Sequence, residues 1–236
     1  MKKTILGPCE TMLDDIEDES IDALVTDPPF GIGFLYDDGK EKNKTPQDYW
    51  DWFGPIYEKA YRKVKPGGFI AVWQTYKYMR YFWDWFGEDI TIYISAKNFV
   101  QLRPTPINLA YDPIVIKYKE GAKALVPESQ TRSVNYFVAA TYKNILNTNA
   151  IEKGHPCPRP LDQCEELIKN FVIEGGTVLD PFAGSGMIGL AAKLNDRGYV
   201  LIEQNPEYYE KVLVPMLNGQ TRRSSRKKTI SKNIFE

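Results

Sequence analysis

Cysteine and histidine are scarce in this 236-residue chain: three cysteines, Cys9, Cys157 and Cys164, and one histidine, His155. No Cys-x-x-Cys pair occurs, and one imidazole does not complete a zinc set with thiols so spaced. Neither a disulfide framework nor a metal is expected, and the plain reading is a reduced, cytoplasmic protein. Long apolar runs are missing too. Phe69-Ile-Ala-Val-Trp73 is among the longest, and it has the length of a strand, far short of a membrane span. The opening Met1-Lys-Lys resembles a signal peptide, but Gly7-Pro8 cuts the apolar run and acids follow, so no export signal is read. A surplus of charge is the third absence. The net charge of −1 gives the chain as a whole no basic field to draw in nucleic acid.

The charge is unevenly placed. Glu10, Asp14, Asp15, Glu17, Asp18, Glu19 and Asp22 fall in a stretch without a base, and Arg222, Arg223, Arg226, Lys227, Lys228 and Lys232 in one without an acid. Such runs read first as solvated faces or tails, and a basic tail brushing phosphate is the second reading. A mass of 27.1 kDa suits one domain with a full-sized core. We place that domain at residues 1–218, followed by a flexible basic tail over 219–236.

Short apolar runs bounded by turn residues mark strands at Thr4–Leu6, Ala23–Thr26, Gly68–Gln74, Ile90–Ser95, Ile114–Tyr118, Thr177–Asp180 and Tyr199–Ile202. Helical spacing fills most gaps. Leu161, Cys164, Leu167, Ile168 and Phe171 make one apolar face behind Pro160, and Pro46–Lys65 reads as another helix closed by Pro66-Gly67-Gly68. The alternation predicts an α/β fold in three layers, a mostly parallel sheet of seven strands covered on both faces. The aromatic cluster Tyr76–Phe86 reads as packing.

Two stretches carry chemistry. In Thr177-Val-Leu-Asp-Pro-Phe-Ala-Gly-Ser-Gly-Met-Ile-Gly189 a strand runs into a glycine turn and then a helix, which lets backbone N–H groups approach a ligand. Gly184, Gly186 and Gly189 match the dinucleotide pattern G-x-G-x-x-G, and Glu203 follows where a carboxylate would grip ribose hydroxyls, so a nicotinamide enzyme competes on spacing. Only 47 residues follow Gly189, too few for the further strand–helix units of a nucleotide-binding half. The missing strands are expected from the N-terminal side, in a permuted order.

The second stretch is Ala23-Leu-Val-Thr-Asp-Pro-Pro-Phe-Gly-Ile-Gly33. Pro28 and Pro29 fix the backbone after Asp27 and lack N–H groups, so nearby carbonyls are held as acceptors. An aromatic amine is a poor nucleophile because its lone pair is delocalised into the ring. A carboxylate (Asp27) and a carbonyl (Pro28) accepting both amino hydrogens would free that lone pair for attack on a methyl sulfonium, with Phe30 stacked on the base. A base taken from a duplex must leave the stack to reach such a pocket. The Pro-Cys dipeptides at 8–9 and 156–157 lack the context of a thiolate nucleophile and read as small buried thiols. His155 reads as structural.

These residues together resemble the DNA amino-methyltransferases, in the permuted group whose catalytic motif precedes the cofactor motif. Asp27-Pro-Pro-Phe30 resembles their D-P-P-Y/F motif, and Asp180-Pro-Phe-Ala-Gly-Ser-Gly186 resembles their cofactor loop. His155-Pro-Cys-Pro-Arg-Pro-Leu161, Arg62-Lys-Val-Lys-Pro-Gly-Gly68 and Tyr111–Lys119 resemble further family segments. The resemblance implies a Rossmann-like S-adenosylmethionine-dependent methyltransferase fold with circularly permuted motif order. It implies a flipped adenine in DNA as acceptor at N6, Asp27, Pro28, Pro29 and Phe30 as catalytic residues, and S-adenosylmethionine as cofactor. Asp180, Phe182, Ala183, Gly184, Ser185, Gly186 and Glu203 would hold that cofactor, with Cys9 nearby and Arg159 and Pro160 walling its methionine end. The chain departs from the family pattern at Pro8, Phe30 and Arg159, where Asp, Tyr and Lys are usual. Residues 119–154 fall where these enzymes carry a target-recognition region. A homodimer or partner subunit stays open, as do cytosine N4, RNA adenine, and a non-catalytic binding subunit.

Overall fold

The apolar runs fold into β1 (Lys2–Leu6), β2 (Ile21–Thr26), β3 (Val64–Trp73), β4 (Thr91–Ala96), β5 (Tyr111–Tyr118), β6 (Tyr136–Val138), β7 (Thr177–Asp180) and β8 (Gly198–Glu203). The computed structural model describes residues 1–31, 45–87, 89–96, 107–126, 136–138, 155 and 158–219. The strands make one sheet in the order β1-β8-β7-β2-β3-β5-β4-β6. β1, β8, β7, β2 and β3 are mutually parallel, and β5 is antiparallel to both β3 and β4. The seven strands expected from the sequence are all there. β6 adds a short eighth, parallel to β4, and three residues are too few for an alternating pattern to reveal.

The permuted order shows in the pairing, since β7 and β8 from late in the chain lie between β1 and β2 from its start. β2, β7 and β8 are buried along their whole length, as expected of parallel strands covered on both sides. Period-two alternation then divides the core. Ala23, Val25, Ala71, Trp73, Val178 and Leu201 pack with the helix Leu161–Phe171 and the helix Met187–Leu194. Leu24, Ile70, Val72, Leu179, Val200 and Ile202 pack with Phe53, Ile56 and Tyr57 of the helix Pro46–Lys63 and with Phe82 of the helix Met79–Phe86. The aromatic run is packing for the most part, with Phe82 fully buried and Trp83 and Trp85 partly in solvent.

The helix Pro46–Lys63 begins with a capping box. Thr45 Oγ1 accepts from the Asp48 N–H at 3.1 Å, and Asp48 accepts in return from the Thr45 backbone. It ends earlier than the sequence suggests. Pro66-Gly67-Gly68 does not close the helix but lies inside β3, where the register against β2 jumps from Ile21↔Val64 to Ala23↔Phe69. The acidic run is not simply solvated. Lys59 pairs with Asp14 at 2.8 Å, Lys63 with Asp18 at 2.6 Å, Lys65 with Asp22 at 2.7 Å and Lys119 with Glu19 at 3.2 Å.

No described helix is long and apolar enough to cross a membrane. Among the described residues no cluster of three or more His, Cys, Asp or Glu side chains could hold a metal. Cys9 and Cys164 are buried free thiols; Cys157, the tail from 220 and most of 127–154 lie outside the described residues.

Candidate active site

Five parallel strands end at one edge of the sheet, and ligands in such sheets bind beyond the carboxyl ends of the strands. Asp27 directly follows β2, Asp180 closes β7 and Glu203 closes β8. Far apart in sequence, the three become neighbours because β2 pairs with β7 through Leu24↔Leu179 and β7 with β8 through Asp180↔Leu201. Two side-chain bonds join the first two strands: Thr26 Oγ1 donates to Asp180 Oδ1 at 2.7 Å at this edge, and Thr177 N–H donates to Asp22 Oδ2 at 2.8 Å at the other end.

The glycine turn connects β7 to the helix Met187–Leu194. Gly184 and Gly186 have φ of +48° and +77°, left-handed values that glycine adopts without a Cβ penalty. Gly186 N–H closes the turn on the Ala183 carbonyl at 2.8 Å, while the neighbouring N–H groups reach β8. Gly184 N–H donates to Glu203 Oε2 at 2.8 Å, Asn205 N–H to Glu203 Oε1 at 2.8 Å, and Ala183 N–H to the Ile202 carbonyl at 2.9 Å. Glu203 is therefore a buried carboxylate fixed by two backbone donors. The His155 ring lies over Gly184, where a Cβ would come within 2.7 Å of Nε2, and packs edge-on against Tyr208 at 4.8 Å.

Asp180 is buried completely, and this desolvation pushes its carboxyl up to about 7. The hydrogen bonds from Thr26 and from the Phe182 N–H (3.1 Å) act the other way, while the charges of Asp27 and Glu203 add to the rise.

The Asp27-Pro-Pro-Phe30 turn is held from two sides. Tyr78 Oη donates to the Phe30 carbonyl at 2.9 Å, and the Tyr78 ring stacks on Tyr49 at 4.0 Å. From the other side, Arg159 Nε donates to Asp27 Oδ2 at 2.6 Å and Nη2 donates to Oδ1 at 2.7 Å, a bidentate pair. The same guanidinium donates through Nη1 to Asp112 Oδ2 at 2.7 Å. Its carbon sits 5.6 Å from the Phe30 ring centre and 5.4 Å from that of Trp73.

The structure thus brings Asp27, Pro28, Pro29 and Phe30 together with Asp180, Phe182–Gly186 and Glu203 at one edge. Arg159 reaches Asp27 and Asp112. Pro160 is the N-cap of the helix Leu161–Phe171, its carbonyl accepting from the Cys164 N–H at 3.2 Å. Cys9 begins the short helix Cys9–Met12 after β1, in a turn tied to β8 by Gly7 N–H donating to the Glu203 carbonyl at 2.9 Å. Its thiol is buried and pushed up by that burial, then by the neighbouring Glu10, which leaves it an apolar packing group.

Sequence reasoning gave no site role to Thr26, Trp73 or Tyr78, and read Asp112 only as part of the family-like segment Tyr111–Lys119. Asp112 could be placed only with the topology in hand. Because β5 runs against β3, with Trp73 opposite Ile114, the start of β5 falls at the edge where β3 ends. No spacing along the chain reveals that reversal.

The chain is similar to known proteins in sequence and in fold. The sequence pattern of the N6/N4 methyltransferase family, described as DNA methylase, matches residues 21–214. The type II methyltransferase M.HpaI of Haemophilus parainfluenzae is 30% identical over 219 residues, covering 84% of this chain and 68% of that protein. Among solved structures, the cytosine-N4-specific PvuII DNA methyltransferase superposes with a TM-score of 0.69 at 18% identity, over 94% of this chain and 86% of that one. M1.HpyAVI in complex with SAM superposes with a TM-score of 0.68 at 20% identity, over 92% and 99%.

Proposed function

The chain belongs to the N6/N4 DNA methylase family, and from that membership we infer that it moves a methyl group from S-adenosylmethionine to the N6 amino group of an adenine in DNA. The observation that carries the reading is the junction of the two motifs. Asp27-Pro-Pro-Phe30 and the glycine turn leave adjacent parallel strands at the same edge, tied by the Thr26–Asp180 bond.

The residues at that edge fit the proposed donor. Glu203, held by two backbone donors, is a carboxylate whose oxygens can also accept from sugar hydroxyls. The glycine turn and the N-terminus of the helix Met187–Leu194 suit an amino-acid carboxylate. S-adenosylmethionine supplies an electrophilic methyl group when bound. The chain's own part is to make the acceptor nitrogen nucleophilic. Asp27 and the Pro28 carbonyl accept its two hydrogens, and Phe30 stacks on the base, a contact that typically contributes ~1–3 kcal/mol. The pocket chemistry serves cytosine N4 equally, and a cytosine-N4 enzyme shares the fold. The Asp at the head of Asp-Pro-Pro favours adenine.

The deciding experiment is methyl transfer from labelled S-adenosylmethionine to unmethylated genomic DNA, with nucleoside analysis of the product. N6-methyladenine is expected, and it should disappear with Asp27→Ala. N4-methylcytosine would overturn the choice of acceptor. Unchanged transfer by Asp27→Ala would overturn the site.

A further inference from the structure

The edge holds one ion-pair cluster to which the reaction as described gives no task. We infer that Arg159 and Asp112 are positioning residues for the catalytic carboxylate: Asp112 fixes the guanidinium, and the guanidinium holds Asp27 in the rotamer that receives the amino group. This rests on the reading of Asp27 given above.

The geometry is that of a clamp with its orientation fixed. Arg159 uses one edge, Nε and Nη2, on both oxygens of Asp27, and a second group, Nη1, on Asp112. A planar fork bound at three nitrogens cannot rotate without breaking at least one bond. Phe30 and Trp73 lie within cation–π distance of it, and its side chain is only 11% exposed, so the guanidinium has little room to leave. One positive charge already balances Asp27. The second carboxylate is surplus as a counter-ion, which points to a geometric role for it. Asp112 suits that role because it is itself rigid: it sits in β5, paired with Ser95 of β4, and Pro113 follows.

The clamp leaves Asp27 able to act. A carboxylate has about four lone-pair sites, so an oxygen that accepts from the fork can also accept from an amino hydrogen. Asp27 follows the last residue of β2, in a loop, where an unclamped side chain would sample several rotamers. Misplacing a reacting group by an ångström can cost up to about a hundredfold in rate. Lysine in place of Arg159 could make only a point contact and would hold the carboxylate less well.

The test uses the full chain, S-adenosylmethionine and the DNA of the preceding assay, with kcat, KM and donor affinity measured for each variant. Asp112→Ala should lower kcat about tenfold and leave donor Kd within about twofold. Asp112→Asn keeps an oxygen that can accept from Nη1, and should recover much of that loss. Arg159→Lys should lower kcat at least as far, and adding Asp112→Ala to it should cost little more, because Asp112 acts through Arg159. Wild-type kcat in Asp112→Ala, an effect confined to KM or donor affinity, or losses that multiply in the double variant would each overturn the inference. If Asp112→Ala does not fold, Asp112→Asn and Arg159→Lys decide on the same kcat-against-Kd criterion. The two readings fail separately. Transfer surviving Asp27→Ala removes the assignment of Asp27 and the clamp with it. Loss of transfer in Asp27→Ala alongside an unimpaired Asp112→Ala removes the clamp alone.

Discussion

Among the described residues no cation bonds to the carboxyl of Asp180, which is buried under the turn that carries the family motif. Its folded value of about 7 stands above the ordinary value of 3.8. Between those values the folded chain holds a proton that the unfolded chain has released, so this group makes stability fall as pH rises from about 4 to about 7. Above that range the penalty is constant. Asn at this position carries no such proton, and its amide oxygen can still accept from Thr26 and Phe182. We therefore expect the urea midpoint of Asp180→Asn to improve relative to wild type as pH rises through this window. Parallel midpoint curves for the two proteins would show that Asp180 titrates as an ordinary carboxyl. At this scale the motif letters singled out Asp27, Gly184 and Glu203, and all three lie at one edge. What the letters do not state is who touches whom. Arg159 was readable as a member of the 155–161 element, but its grip on Asp27 depends on a segment 132 positions away.

Among the elements, the helix Pro46–Lys63 links stability to the site. Its buried Tyr49 stacks on Tyr78, which in turn holds the Phe30 carbonyl. The capping box at Thr45 fixes the turn that carries Tyr49. Thr45→Ala should cost about 1 kcal/mol, read as a lower urea midpoint with unchanged slope. A loss below about 0.3 kcal/mol would mean that solvent replaces the cap without penalty. Strand positions were legible because buried parallel strands are nearly continuous apolar runs, and β2 and β7 are the clear cases. Element ends were less so. Pro66-Gly67-Gly68 looks like a helix stop and is a bulge in β3, because glycine and proline mark irregular backbone without saying whether a strand continues past it.

For the whole molecule, the order β1-β8-β7-β2 interleaves the two ends of the chain. Neither end can bury its strands alone, since β2 has β7 on one side and β1, among the described residues, pairs with β8 alone. Thermal or urea unfolding of the described domain should therefore follow one transition, with fluorescence and circular dichroism coincident. Chains 1–126 and 155–236 made separately should each lack a cooperative transition; one that melted sharply by itself would contradict the interleaving. The permuted wiring was legible from motif order alone, whereas the pairing of β1 with β8 was not, because nothing local in either strand specifies a partner. That pairing sets Lys2 opposite Tyr199. On a ribosome adding ~5–20 residues each second, β1 is made roughly 10–40 s before the strand that will shelter it. A segment made early is thus among the last of the sheet to find its place, and for that interval its bare edge is exposed to whatever else the cell offers.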